Sequence, residues 1–309
     1  ARHIGGKNLD VNKWKTRKII DTLWPEEKGE NGYEELHTDV TRLVGLMKNL
    51  GLVPNIVRRE HTSLLEDEIF VWQDVMDTFD IDYEPYGLAD IVGMAQEILR
   101  ESVEMAFDGI IDFDDMLYMP ICFNASFYQN DVVMIDEAQD ISAIQRQMLH
   151  RMLKEGGRLY AIGDRHQAIY AFRGAASDSI DLIGKEFNCS ELPLTYSFRC
   201  PQEVVKEAQR YVPHIQSAPG AIVGSVQHLK TVQAEDFSPK DAILCRNTRP
   251  LVDFAFRLIY RGVGCYVLGS DMGNNLISLI RRLGATDPQD LYTKAEQFAD
   301  IRAKALNRR

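Results

Sequence analysis

The sequence contains no uninterrupted apolar run of about 18 residues, the length a helix needs to cross a bilayer, and its first residues lack the apolar core of a secretory signal. Neither membrane spanning nor Sec export is therefore indicated. Cysteine is scarce: Cys122, Cys189, Cys200, Cys245 and Cys265 are odd in number and form no C-x-x-C pair. That pattern excludes a disulfide framework, argues against a zinc site and fits reduced thiols in a cytosolic compartment. Positive charge is in deficit, with 35 Lys and Arg against 46 Asp and Glu and a formal net charge of −11. A chain that coats nucleic acid through bulk electrostatics is excluded, although a narrow basic or aromatic groove is not. Also missing is a phosphate-cradling loop of the form G-x-x-x-x-G-K-[ST]. In Gly5-Gly6-Lys7-Asn8 an asparagine replaces the hydroxyl residue and Ala1 stands where the first glycine belongs, and Gly184-Lys185-Glu186 fails likewise.

What is present is the profile of a globular chain, 45% hydrophobic and 26% charged over 309 residues, long enough for two domains. Its most informative stretch is Val132-Val133-Met134-Ile135-Asp136-Glu137-Ala138-Gln139-Asp140, an apolar run that ends in an acidic cluster. A continuous apolar run reads as a buried parallel strand, and ligand chemistry in open α/β sheets collects beyond the carboxyl ends of such strands. Asp136 and Glu137 are thereby placed for magnesium and water chemistry. Leu159-Tyr160-Ala161-Ile162 repeats the arrangement, emptying into Gly163-Asp164-Arg165-His166-Gln167-Ala168-Ile169-Tyr170-Ala171-Phe172-Arg173-Gly174-Ala175. Carboxylate, amide, aromatic and guanidinium groups together suit contact with both a nucleotide and a nucleic acid.

Along the chain, Asp10 to Ile20 reads as the capped start of a helix, and Trp24 to Gly32 as an exposed turn. From 34 to 107 apolar residues recur at three and four, among them Val40, Leu43, Val44 and Met47, the period of packed helices. Trp72 and Tyr83 read there as packing residues. Between 110 and 183 strand and helix alternate, the signature of a parallel sheet with crossovers. A second α/β portion begins near 190, with short apolar runs at 191–195, 222–229, 242–245 and 265–268 and helical segments at 201–211 and 250–261. Residues 286–309 are helical in pattern.

Hydrolysis of a nucleoside triphosphate needs a metal anchor, a group that activates water and cations that stabilise charge on the transferring phosphoryl group. Asp136 suits the first role and Glu137 the second. Gln167 is placed to sense the γ-phosphate or its water, Arg199 to act as an arginine finger, and Phe198 to offer a face to adenine.

Asp136-Glu137-Ala138-Gln139-Asp140, then Gly163-Asp164-x-x-Gln167-x-Ile169-Tyr170-x-Phe172-Arg173-Gly174-Ala175, then Phe198-Arg199 resemble motifs II, III and IV of the superfamily 1 helicases of the UvrD/Rep/PcrA type, in order and in spacing. Ile111 to Leu117 is similar to the segment leading into motif II, and Ala242 to Asn247 with Gly262-Val263 and Val267-Leu268-Gly269 resembles the motif IVa region. The resemblance implies an α/β fold made of parts of two RecA-like P-loop NTPase domains with a helical insertion in the first. Residues 1–22 and 108–183 would be the remainder of the first domain, 23–107 the insertion, 184–285 part of the second domain and 286–309 the start of a further insertion.

The same resemblance implies ATP and Mg2+ as cofactors, with Asp136 as magnesium ligand, Glu137 as general base, Gln167 as the link between γ-phosphate and DNA, and Arg199 and Phe198 at the nucleotide. Tyr170, Phe172 and Arg173 would touch single-stranded DNA, the aromatics by stacking worth about 1–3 kcal/mol per base. Ser197-Phe198-Arg199-Cys200 departs from the family's Asn-Tyr-Arg-Ser: the stacking face is kept and the phenol hydroxyl is lost. The implied function is an ATP-dependent helicase acting on single-stranded DNA and DNA junctions, with replication or repair proteins as partners, in a bacterial cytosol or a phage-infected cell. Motif I and motifs V and VI have no counterpart in the sequence, which leads to the expectation of a helicase fragment with little ATPase activity of its own. The alternative is a non-hydrolysing DNA-binding or assembly module.

Several residues keep a plainer reading beside the functional one. Phe172 and Phe198 also suit a core, Arg173 a helix cap or a bridge to Asp178, Asp164 the turn after Gly163, and Asp140, read first as organising motif II by hydrogen bonding, a plain surface position. His166 reads as a solvated loop residue, and Asp114 and Asp115 as helix-start residues.

Overall fold

The computed structural model describes residues 9–25, 33–82, 86–168, 178–233, 236–238, 240–246, 248–268, 280, 283–284 and 287–306. Tyr83, Tyr170, Phe172 and Arg173 lie outside the described residues. The chain divides into two compact units, residues 1–196 with 209–216, and residues 197–208 with 217–309.

In the first unit β1 (Asp10–Val11) pairs in parallel with β2 (Ile110–Ile111), and α1 (Lys15–Leu23), α2 (Tyr33–Leu50), α3 (Ile69–Thr78) and α4 (Leu88–Phe107) lie between them in sequence. The helix expected from Asp10 thus starts five residues later. The Asp10 N–H donates to Gly109 O and the Asn12 N–H to Ile111 O, so strand pairing claims these backbone groups first. The helical period from 34 to 107 is realised as packing. Val40, Leu43, Val44 and Met47 of α2 and Ile91, Ala95, Ile98 and Leu99 of α4 are buried in one cluster with Trp72, whose indole N–H donates to Asp67 Oδ1 at 2.7 Å. Gly51 closes α2 at φ +78°, a left-handed conformation that glycine adopts without strain.

α5 (Asp115–Cys122) starts at the expected aspartates, with Asp114 at its N-cap. Then come β3 (Asn130–Ile135), α6 (Ala143–Met152), β4 (Leu153–Ala161) and α7 (Ser179–Glu186). β3 and β4 are parallel, with Val133 opposite Leu159 and Ile135 opposite Ala161. β4 is longer than its apolar run, because it reaches back to Leu153, opposite Asn130, through a bulged stretch before Arg158 pairs with Val132, and Lys154, Glu155 and Arg158 on it are exposed. The buried strand expected at 132–135 is buried on one face only. Val133 packs with Ala138, Ile141, Leu149 and Ile183, whereas Val132, Met134, Tyr160 and Ile162 are exposed. Helices cover one side of this pair, and among the described residues nothing covers the other.

β5 (Tyr196–Ser197) and β6 (Gln216–Ser217) pair where the chain passes between units, and the second unit carries α8 (Gln202–Ala208), α9 (Thr248–Tyr260) and α10 (Pro288–Leu306). The helices expected near 201, 250 and 286 are therefore present. The apolar runs at 191–195, 222–229, 242–245 and 265–268 are irregular instead of strands. A strand exists only when a neighbour completes its ladder, and these runs find none among the described residues. Leu194, Ile222, Leu244 and Leu268 stand exposed. Among the described residues no helix is long and apolar enough to cross a membrane.

Candidate active site

The chemistry gathers where β3 and β4 end side by side. The Ile162 N–H donates to Ile135 O and the Ala138 N–H to Ile162 O, both at 2.9 Å, so the two strands hand over to their loops in register. Just past β3 the chain turns sharply: Glu137 sits at φ +51°, and its N–H donates to Asp136 Oδ1 at 3.0 Å. A non-glycine residue held left-handed costs about 1 kcal/mol or more, and such strain collects at functional sites. Both carboxylates are exposed beyond the end of the sheet.

Gln139, which sequence reasoning passed over, is 3% exposed and ties the site together. Its Nε2 donates to Glu137 Oε2 at 2.7 Å and to Asp140 Oδ2 at 3.3 Å, while its Oε1 accepts the Asp164 N–H at 3.0 Å. Only this orientation of the amide matches a donor to the carboxylates and an acceptor to the N–H. The signal was an amide inside a cluster of carboxylates, the one side chain there able to donate. Gly163 makes room for it, since a Cβ at Gly163 would collide with Gln139 Oε1 and come within 3.0 Å of the Ala138 nitrogen.

Asp164 serves the turn, as the plainer reading has it, accepting the His166 N–H on Oδ1 at 2.9 Å. Its Oδ2 accepts from Gln167 Nε2 at 2.8 Å. Asp136, Glu137, Gln139, Asp140, Asp164 and Gln167 thus form one connected group. Phe198 and Arg199 belong to the second unit, in the bend between β5 and α8, and both are exposed; Phe198 at 86% exposure is no core residue.

Among the described residues no three His, Cys, Asp or Glu side chains converge as a metal cage. Mg2+ commonly takes only one or two carboxylates and fills its remaining positions with phosphate oxygens and water. Asp136, exposed and with one oxygen outside the Glu137 hydrogen bond, fits that requirement.

A second cluster, also missed, is buried between helices. Lys15 Nζ donates to Asp115 Oδ2 at 2.6 Å and to Ser102 O, and Lys48 Nζ lies 2.6 Å from Asp112 Oδ2 and 2.8 Å from Asp115 Oδ1. Burial opposes the Asp115 carboxylate, but Lys48 and Lys15 outweigh it and hold its pKa below the usual range. Burial likewise opposes the Lys48 ammonium, and Asp115 and Asp112 outweigh it and raise its pKa. Neighbouring Asp114 is pushed up by burial in spite of a hydrogen bond from Asn49. A cavity of about 350 Å3 opens over this cluster, between Trp14, His37 and Phe113, and no residue assigned above to nucleotide or DNA lines it.

Residues 37–188 match the UvrD/REP helicase N-terminal domain, so that stretch of the chain is of the UvrD type. The match contains the whole β3–β4 site. Among similar proteins are the ATP-dependent DNA helicase Rep of Salmonella typhimurium, 25% identical over 252 residues that cover 70% of this chain and 37% of the relative. The ATP-dependent DNA helicase UvrD2 of Mycobacterium bovis is 28% identical over 46% of this chain and 21% of its own length. A probable DNA helicase II homolog of Mycoplasma pneumoniae is 34% identical over 24% of this chain and 11% of its own. The chain thus spans little more than a third of the longest-matched of these relatives.

Proposed function

We propose that this chain acts in ATP-dependent translocation along single-stranded DNA, coupled to strand separation. The observation that carries the reading is the hydrogen-bonded group at the ends of β3 and β4, which joins Glu137 to Gln167. Glu137 takes a proton from water as the water oxygen bonds to the γ-phosphorus and the bond to the bridging oxygen breaks. Asp136 holds Mg2+, which supplies charge neutralisation on the phosphates when bound with ATP. Gln167 orients the water or γ-phosphate, Arg199 stabilises the transferring phosphoryl group and Phe198 stacks on adenine. Tyr170, Phe172 and Arg173, which follow Gln167 in sequence, bind the strand.

On this reading residues 1–22 and 108–183 form part of one RecA-like domain, 23–107 an insertion in it, 184–285 part of a second and 286–309 the start of another insertion. The names of the relatives support a DNA substrate, and their bacterial sources fit the reading of a bacterial cytosol. DNA junctions and replication or repair proteins follow as partners from the same reading.

The test is Glu137→Gln in the complete gene product. DNA-stimulated ATP turnover should fall by about a thousandfold or more while ATP binding persists. Unchanged turnover would remove Glu137 from the chemistry and leave a non-hydrolysing DNA-binding or assembly module, whose grip on single strands would be indifferent to ATP and magnesium.

A further inference from the structure

We infer that Gln139 is a positioning residue that sets the direction of the Glu137 carboxylate and fastens it to the loop carrying Gln167. The inference rests on the reading of Glu137 as the base that activates water. The path is continuous: Glu137 Oε2 accepts from Gln139 Nε2, Gln139 Oε1 accepts from the Asp164 backbone, and Asp164 Oδ2 accepts from Gln167 Nε2, at 2.7, 3.0 and 2.8 Å. Each end of this relay is exposed and its centre is buried, so the exposed functional groups hang on a buried amide. A carboxylate on a left-handed residue beyond a strand end has several rotamers open to it. Gln139 selects one of them. Because its other end is bonded to the β4 loop, a shift of that loop changes the aim of Glu137 and a shift of Glu137 is felt at Gln167. A water-activating group and the group that meets the γ-phosphate are in this way kept at a common spacing, whichever of them the nucleotide touches first.

The relay makes Gly163 part of the same device. No other residue type fits without pressing on the Gln139 amide, so Gly163→Ala should disturb Glu137 without touching it.

The experiment compares Gln139→Leu, Gln139→Glu and Gly163→Ala in the complete gene product, measuring DNA-stimulated ATP turnover, binding of a fluorescent ATP analogue and thermal unfolding. Gln139→Leu removes both hydrogen bonds, and Gln139→Glu keeps the acceptor, loses the donor and adds a like charge beside Glu137. For all three kcat should fall on the order of ten- to a hundredfold, the loss typical of a misaimed catalytic group, with KM and analogue affinity within about twofold. Values of kcat within about twofold of the parent in folded variants would overturn the inference. So would a fall in kcat matched by equal falls in affinity and melting temperature, the signature of a structural role alone. If Gln139→Leu does not fold, the other two carry the decision. Glu137→Gln in the same assay separates the two readings: loss of turnover there with none in the Gln139 and Gly163 variants removes only the relay, whereas no loss at Glu137 removes the base itself.

Discussion

At the scale of residues, two clusters of charge do opposite things. Asp136 and Glu137 are exposed and available, while Lys15, Lys48, Asp112 and Asp115 are sealed between helices and neutralise one another. Removing one partner of such a buried set leaves its neighbours uncompensated. Asp115→Asn should destabilise the protein by about 3–5 kcal/mol in urea unfolding, and a loss under about 1 kcal/mol would show that the cluster does not hold the helices. The pH dependence has a definite sign. Asp115 titrates lower in the folded protein than in the unfolded chain, so its contribution is complete above about pH 4, the unfolded carboxylate value, and disappears as pH falls through the depressed folded value. Lys48 is raised, so its contribution is complete below about pH 10, the unfolded ammonium value, and disappears only as pH rises through the elevated folded value. In Asp115→Asn the acid-side loss of stability should be shallower than in the parent. The placing of Asp136 and Glu137 past a strand end was legible from an apolar run that stops in acid. Lys15 and Asp115 lie 100 positions apart, and no local pattern joins them. Lys48 did leave a trace, four residues after Val44 on the apolar stripe of α2, where a lysine needs a buried partner.

At the scale of elements, glycines report how tightly neighbouring segments meet. Gly51 pairs a left-handed backbone with Leu64, whose Cδ1 would lie 2.6 Å from an added Cβ; Gly184, inside α7, faces open space. Gly51→Ala should therefore cost about 1–3 kcal/mol and Gly184→Ala should gain about 0.5–1 kcal/mol. Opposite signs in a single pair of urea titrations are the expected result, and equal signs would contradict the packing at the end of α2. Helices were the elements easiest to read from sequence, because their period and their backbone hydrogen bonds are local, and α2, α4, α8, α9 and α10 fall where the pattern puts them. Strands were harder. β4 extends back through Lys154 to Arg158, which no apolar pattern marks, and the runs at 222–229 and 242–245 look like strands without being any. Whether an apolar run becomes a strand is decided by its neighbour, which is not written in the run itself.

At the scale of the whole molecule, the sequence carries adjacent carboxylates at a strand end, to which the proposed function gives metal and water, but no G-x-x-x-x-G-K-[ST] amide cradle for phosphates. The 309 residues alone should show ATP turnover near background in a phosphate-release assay, with or without oligo(dT) and Mg2+, since the backbone N–H groups and lysine that grip the β- and γ-phosphates are the main source of nucleotide affinity. DNA-stimulated turnover by these residues would contradict that expectation. The uncovered face of the β3–β4 pair has a consequence for how the molecule behaves in solution. Val132, Met134, Tyr160 and Ile162 form an apolar surface on a pair of strands that has no further strand beside it among the described residues, the kind of surface through which chains stick to one another. What keeps copies apart is the net charge of −11, a repulsion that fades beyond about 10 Å at 0.1 M salt. Colloidal behaviour is then set by a contest between a sticky face and a charged coat. Raising the ionic strength, above all with sulfate, weakens the coat and strengthens the face, so the molecule should disperse best in dilute buffers of low salt.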